Sequence, residues 1–447
     1  MFLNKDIYSY FRNTHLILMK FSIFNSTIHL DGKHTLLFNS FSKKFIAIKN
    51  EIFDFGAQNV DDIEKYNIKL FTQLCDGGFI VESSIEEPSR LRQSIINSEN
   101  NTHEYILHIN PTLDCNFSCW YCYENHIHLS RMTRDVLVSI KGYIRGILIK
   151  PEIESFELGF FGGEPLLYFT SVAKVLIAHT SELCKKHGKE FSVHFTSNGA
   201  LLHDEIIRFL SQYNCGFQIT LDGGRIFHDT TRYFKNNKGS FDLILRNIIK
   251  LARAKIDVIV RVNYTDVNIK SVETILDEFN KEPNSIKEYL KFDFQRVWQN
   301  KSHNFDDTER NIAYIRQKFR DHKFQVLSNY IPHDAMSPCY SDKLNHTLIN
   351  YNGDVYGCTA RDFTTDNRIG VLQPNGEIKY AYNKIERRNR AKLSKEICTT
   401  CRIAPLCGGG CKQKALEGLG FEGCTMGYTE LEKDRIILEI FEHSFNL

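Results

Sequence analysis

Six short apolar runs, YILHI, FELGFF, FSVHFT, GFQITL, IDVIVRVN and KFDFQRV, recur between Tyr105 and Val297. The stretches between them are long enough to hold helices, RDVLVSIKGYIRGILI and FDLILRNIIKLARA among them. This alternation predicts βα units and a parallel sheet. Near-continuous apolar strands predict a sheet covered by helices. Six units are too few for a closed eight-stranded barrel, so the expected fold is α/β, a partial (β/α)6 barrel. Functional residues then belong at the C-terminal ends of the strands, and the segment CNFSCWYC follows the first of them.

The flanks differ from this centre. STIHLDGKHTLLFN sets an Asp31-Gly32 turn between β-rich runs, and FIAI continues the strand pattern. VDDIEKYNIKLFTQLCDGG predicts one helix from Asp61 or Asp62 to the Gly77-Gly78 stop, and FIVE another strand. Residues 1–85 are therefore expected to be a small α+β, winged-helix-like unit, with a polar linker over 86–103. The barrel is expected over 104–300 and a bridging region, with the helix-like DDTERNIAYIRQKFRDH, over 301–335. A cysteine-rich domain over 336–447 has no long apolar run, so metal ligation is expected to supply much of its stability.

A formal charge of +2 and a pI near 7.9 give no basis for a nucleic-acid partner. LILMKFSIF is short, contains Lys20 and lacks a small-residue cleavage pattern, so it is expected to be strand rather than signal peptide. No stretch has the about 18 apolar residues of a membrane span, and the chain is expected to be cytoplasmic. Thirteen cysteines in such a compartment are expected to be ligands or core fillers, because thiols there stay reduced. Cys75, Cys184 and Cys215 stand apart from the others and are expected to be small buried hydrophobes.

Cys115, Cys119 and Cys122 would leave a structural zinc one ligand short, since His126 and His128 match poorly. Three thiolates suit a four-iron cluster with one open iron. The spacing C-x3-C-x2-C resembles that of the radical S-adenosylmethionine (SAM) superfamily. The resemblance implies a [4Fe-4S] cluster that chelates SAM and cleaves it to a 5′-deoxyadenosyl radical. FFGGEP after the second strand resembles the family's Gly-Gly-Glu-Pro motif: Gly162 and Gly163 permit close backbone approach, and Glu164 would accept the methionine ammonium. By the same resemblance Ser197 and Asn198 of TSNG would meet the ribose, with Thr220 and Asp222 near that pocket. Arg232 and Arg261 are candidates for the SAM carboxylate, and the backbone of Tyr121 for adenine.

The tail spacing Cys339-x13-Gly353-x4-Cys358, Cys398-x2-Cys401-x5-Cys407-x3-Cys411, then Cys424, resembles the SPASM extension of radical SAM enzymes that modify peptides. That resemblance implies two auxiliary [4Fe-4S] clusters, one held by Cys398, Cys401, Cys407 and Cys424, the other by Cys339, Cys358 and Cys411. The second is one ligand short; some relatives place a cysteine where this chain has His333. The N-terminal unit resembles the leader-recognition domain of ribosomal-peptide maturases, in which a leader adds as a strand to a sheet edge. Thr359, where sulfatase-maturing enzymes carry an acidic residue, separates the chain from that branch. The expected activity is that of a peptide maturase installing a thioether or carbon–carbon crosslink, with a precursor peptide and a flavodoxin or ferredoxin as partners. A sulfatase-maturing enzyme and a non-catalytic peptide-binding scaffold are the alternatives.

Overall fold

A computed structural model describes residues 18–30, 32–51, 60–101, 103–297, 299, 305–327, 338–393, 395–418 and 423–445. Asp31 of the expected turn and His333 lie outside them. The chain gathers into two compact units, Met1–Asn100 with Tyr330–Asp342 and Glu386–Leu447, and Asn101–Asn329 with Lys343–Ile385.

In the first unit β1 (Met19–Phe21) pairs antiparallel with β5 (Ile80–Glu82), and β2 (Asn25–His29), β3 (His34–Asn39) and β4 (Lys44–Lys49) form an antiparallel sheet in that order. Two helices, Val60–Tyr66 and Ile68–Asp76, stand where one was expected. Asn67 breaks them apart: its φ of −154° is extended, and its side chain accepts a hydrogen bond from the Leu70 N–H, capping the second helix. The stretch expected to be a linker is largely a helix, Glu87–Glu99, whose Leu91 and Ile95 are buried. Its polarity is that of an exposed face; the apolar stripe is only two residues wide and easily missed. These two side chains cluster with Phe24, Leu393 and Ala404, while Phe38 clusters with Ile403, Leu406, Ile436 and Ile437. The cysteine-rich tail thus has apolar support besides its thiols, supplied in part by the N-terminal residues.

The second unit is built on one sheet. Its strands β6 (Glu104–Ile109), β7 (Ser155–Phe160), β8 (Glu190–Ser197), β9 (Asn214–Thr220), β10 (Asp257–Tyr264) and β11 (Leu290–Arg296) pair in parallel, each with its successor in the chain. These are the six expected runs. The sheet continues in parallel through β12 (Gln325–Val326) beyond β11 and β13 (His346–Ile349) beside β6. β14 (Asp354–Tyr356), β15 (Arg368–Leu372) and β16 (Ile378–Tyr380) then add antiparallel. Part of the cysteine-rich segment therefore extends this sheet. A buried hydroxyl triangle fastens the join: Tyr105 and Tyr143 hydrogen-bond each other, and Thr347 Oγ1 lies 2.7 and 2.9 Å from their hydroxyls.

The strands alternate, contrary to the expectation of continuous apolar runs. Val193, Phe195, Phe217, Ile219, Val258, Val260 and Val262 are buried in the main core with helix residues such as Ile244, Ile248 and Leu251. The other face carries Ser192, His194, Thr196, Gln218, Arg261 and Asn263, all partly exposed. One face packed and the other polar is what helices on one side only require. The polar face is the concave side of an open barrel, available to ligands.

Candidate functional site

The site stands at the C-terminal strand ends of the second unit. Asp114 organises the approach to the cysteines: its Oδ1 accepts from Cys115 N and Lys235 Nζ, both at 2.8 Å, and its Oδ2 from Leu129 N at 3.0 Å. Burial opposes its ionisation, but the Lys235 bond and the backbone N–H groups outweigh it and hold the carboxyl at about 2. A second clamp comes from residues 233–235: Ser118 N donates to Tyr233 O, Lys235 N to Asn116 O, and Phe117 bridges to Phe234.

Backbone packing explains both glycines of FFGGEP. A Cβ on Gly163 would lie 2.2 Å from Asp114 O, and one on Gly162, at φ +105°, 2.4 Å from Thr112 O. The β7 loop therefore lies directly against the segment that enters Cys115. Glu164 follows, fully buried. Its Oε1 accepts from Ser197 Oγ (2.8 Å) and Leu166 N (3.0 Å), and its Oε2 from Asn198 N (2.8 Å). Burial raises the carboxyl above its ordinary range, and these bonds and Arg232 oppose the rise. Two oxygens offer about four acceptor positions, so three protein donors leave room for about one more.

Ser197 and Asn198, expected at a ribose, both bond to Glu164. The Asn198 amide also donates to Asn116 Oδ1 at 2.7 Å and lies 3.8 Å from Cys115 Sγ. Tyr121, Asp222, Arg232 and Asn263 form a second network. The Tyr121 hydroxyl donates to Asp222 Oδ2 and accepts from Arg232 Nη1 (2.8 Å) and Asn263 Nδ2 (3.1 Å), while Tyr121 O accepts from Gln299 Nε2 (2.6 Å). Asn263 N donates to Asp222 Oδ1 at 2.8 Å. Arg232 is buried, and its Nε has no hydrogen-bond partner among the described residues. Arg261 stands apart on β10, 3.6 Å from Asp293 and donating to Asn263 Oδ1, and it pairs across the sheet with Thr220 on β9.

All three cysteines are free thiols. Burial, then Glu164 and Cys119, push Cys115 up to about 12, and burial chiefly pushes Cys122 up to about 11. The Arg232 cation opposes the rise at all three. No group of three or more His, Cys, Asp or Glu among the described residues is placed to hold a single metal ion. A four-iron cluster is wider than one ion, and three thiols, with Cys119 acting on both Cys115 and Cys122 and a buried cation nearby, fit it. Cys398, Cys401, Cys407 and Cys424 of the first unit likewise interact, and burial, then Cys424 and its neighbours, push Cys407 up to about 12.

Sequence patterns did not single out Asp114, Lys235, His228, Asn263 or Gln299. His228 is buried and accepts from Asp222 N at its Nδ1 (3.0 Å) while its Nε2 faces Ser240 Oγ (3.0 Å). Asn263, at the end of a predicted strand, could have been found by position alone. Glu124, beside the cysteine loop, is pushed up to about 8 by burial and then by Asp362, and the buried atoms Glu124 Oε1 and Asp362 Oδ1 have no hydrogen-bond partner among the described residues. Lower on the concave face, His108 Nδ1 lies 3.1 Å from His346 Nε2. Burial, then His194, lowers His108 to about 3, and burial lowers His194 to about 4, so both are neutral near pH 7.

The family model for the Radical SAM superfamily matches residues 109–279, the stretch that carries the cysteine loop, Glu164 and the Tyr121 network. These residues are a radical SAM domain. A cysteine-type anaerobic sulfatase-maturating enzyme of Clostridium novyi (strain NT) is 22% identical over 326 residues, 67% of this chain and 85% of the relative. The radical SAM cyclopropyl synthase TigE of Paramaledivibacter caminithermalis is 23% identical over 333 residues, 66% of this chain and 65% of TigE. Among solved structures, native anSMEcpe with bound AdoMet and Cp18Cys peptide has a TM-score of 0.56 at 18% identity, covering 76% of this chain and 99% of that one. That likeness is one of fold. No helix among the described residues is long and apolar enough to cross a membrane.

Proposed function

We propose that the protein is a radical SAM maturase of a ribosomally made precursor peptide, installing a thioether or carbon–carbon crosslink. The observation that carries the reading is the convergence of Cys115, Cys119 and Cys122 with buried Glu164 and the Tyr121–Arg232 network at the strand ends. Bound there, the cluster and SAM supply a 5′-deoxyadenosyl radical. The three cysteines would hold the cluster, with Arg232 favouring their thiolates. Glu164 would keep one acceptor position for the methionine ammonium. The unpartnered Arg232 Nε suits the carboxylate, and Arg261 and Thr220 line the way to the concave face. Cys339, Cys358, Cys398, Cys401, Cys407, Cys411 and Cys424 would hold auxiliary clusters that take up the electron released when the crosslink forms. Outer strands β2 and β4 of the N-terminal sheet suit strand addition by a leader, and a small flavodoxin-like or ferredoxin-like protein would deliver the reducing electron.

Sulfatase maturation is the second reading, favoured by Glu124, a candidate base beside the cysteine loop whose carboxyl feels the charge of Asp362. The experiment is anaerobic reconstitution, reduction, addition of SAM and chromatography for 5′-deoxyadenosine, with a Cys119→Ala control, followed by a sulfatase peptide without a leader. Nucleoside from the parent alone supports the radical reading. Fully iron-loaded parent that forms none, with or without peptide, refutes it in favour of a scaffold, and turnover of the leaderless peptide selects the second reading.

A further inference from the structure

Four charged side chains are buried together in the first unit. Lys392 Nζ lies 2.6 Å from Asp342 Oδ2 and 3.1 Å from Glu99 Oε1. Lys412 Nζ lies 3.3 Å from Glu99 Oε2, 3.9 Å from Asp342 Oδ1, and donates to Asp342 O at 3.2 Å. The lysine side chains are 6% and 2% exposed, Asp342 2% and Glu99 14%. Burying four charges carries a large desolvation cost, and apolar residues of like volume would usually serve stability as well. Among the described residues, Glu99 Oε1 and Asp342 Oδ1 make no geometrically sound hydrogen bond. A tetrad assembled for stability alone would satisfy them.

What the tetrad touches gives it a purpose. Asp342 N donates to Cys339 O at 2.8 Å, and Lys412 directly follows Cys411. Arg388 braces the same two turns, donating to Ser341 O at 3.2 Å and to Gln413 Oε1 at 2.8 Å. Lys392 also acts as a cation on the Cys407 thiol. Glu99 is the last residue of the helix Glu87–Glu99, so the tetrad ties the N-terminal residues to the cysteine turns.

We propose that Glu99, Asp342, Lys392 and Lys412 are positioning residues for the auxiliary iron–sulfur chemistry, locking the Cys339 and Cys411 turns together and setting the charge felt there. The proposal rests on the reading that these cysteines hold clusters. The tetrad carries two cations and two anions, so its net charge is balanced. Removing one anion leaves an excess positive charge, which favours the reduced, more negative cluster; removing one cation does the reverse.

The test uses the full chain carrying Cys119→Ala, which removes the radical SAM cluster from view, reconstituted anaerobically and titrated by EPR-monitored potentiometry. Glu99→Gln is expected to shift the reduction equilibrium of an auxiliary cluster toward the reduced form by about tenfold, 59 mV for a one-electron couple, and Lys392→Met by a similar factor the other way. The double variant should return to the parental potential. Shifts in the same direction, or none at full iron loading, would overturn the proposal, because a merely structural network has no reason to respect the sign of the charge removed. Should a single variant lose its iron, the charge-balanced double decides. Iron at the parental potential supports the tetrad's role, and failure to load iron overturns it. A Cys119→Ala parent with no auxiliary signal and no iron refutes the cluster reading itself.

Discussion

His228 makes the radical SAM domain acid-sensitive in a way one substitution can isolate. Its ring is fully buried, its Nδ1 accepts from Asp222 N, and Ser240 Oγ, which donates to Arg232 O, faces its Nε2. That arrangement demands a neutral ring protonated at Nε2. Burial, then the Arg232 cation, lowers its pKa well below the ordinary value. The unfolded chain therefore takes up a proton near pH 6.5 that the folded chain refuses. The stabilisation is full above that pH and declines as pH falls below it. From 6.5 to 5.0 the loss is about 1.36 kcal/mol per unit over about 1.5 units, or about 2 kcal/mol, however low the folded value lies. In His228→Asn the amide oxygen can still accept from Asp222 N. The lost Ser240 contact and the small void cost about 1–3 kcal/mol at neutral pH. That cost does not titrate. Urea unfolding of parent and variant, followed by circular dichroism at pH 7.5 and 5.0, should therefore show the gap between them closing by about 2 kcal/mol at the lower pH. Other acid-sensitive groups, including His108, His194 and the clusters, are common to both proteins and cancel. A gap that stays constant would mean that His228 is protonated in the fold and that the hydrogen-bond pattern around Asp222 is wrong.

Three further outcomes follow from the same geometry. Gly163→Ala forces a Cβ against the Asp114 carbonyl, an overpacking cost of about 1–3 kcal/mol, and should lower iron bound at Cys115–Cys122, whereas Gly146→Ala, with open space around it in the helix Arg134–Leu148, should stabilise by up to about 1 kcal/mol. Ser197→Ala removes one of three donors to buried Glu164; at about 1.5–3 kcal/mol for a bond to a charged group, calorimetry should show SAM affinity at least tenfold weaker with iron content unchanged. Deleting residues 1–100 strips Phe24, Phe38, Leu91 and Ile95 from the tail, at about 1.5–3 kcal/mol of burial each, so the truncated chain should lose iron at Cys398–Cys424 as well as leader binding; full iron retention would show that the tail's core stands alone.

The legible parts of the molecule were those written in local spacing. Strands β6–β11, the cysteine loop and the two glycines of FFGGEP each follow from residues close in sequence. What stayed hidden was created by pairing. Ser197 and Asn198 reach Glu164 because β7 and β8 run side by side in parallel, Phe160 opposite Phe195, which brings the loops after the two strands to the same height. No spacing within TSNG announces that partner. Asn263 and Tyr121 are 142 positions apart and share Asp222, which follows β9 beside β10. The helix Glu87–Glu99 was concealed for another reason: its two buried apolar residues need partners from the tail, so its composition alone resembles a solvated segment.

That difference bears on how the chemistry is divided. The thiols sit in short local motifs, while charged groups placed near them come from elsewhere in the chain. Arg232, 110 positions beyond Cys122, opposes the rise in pKa at all three loop cysteines. Glu99 lies 313 positions from Lys412, the neighbour of Cys411. On the proposed role of the tetrad, a cysteine spacing can be kept while the potential and loading of what it holds are reset by one distant charge. Relatives alike in their motifs need not be alike in their redox behaviour, and the residues to compare among them are the buried cations and carboxylates rather than the cysteines.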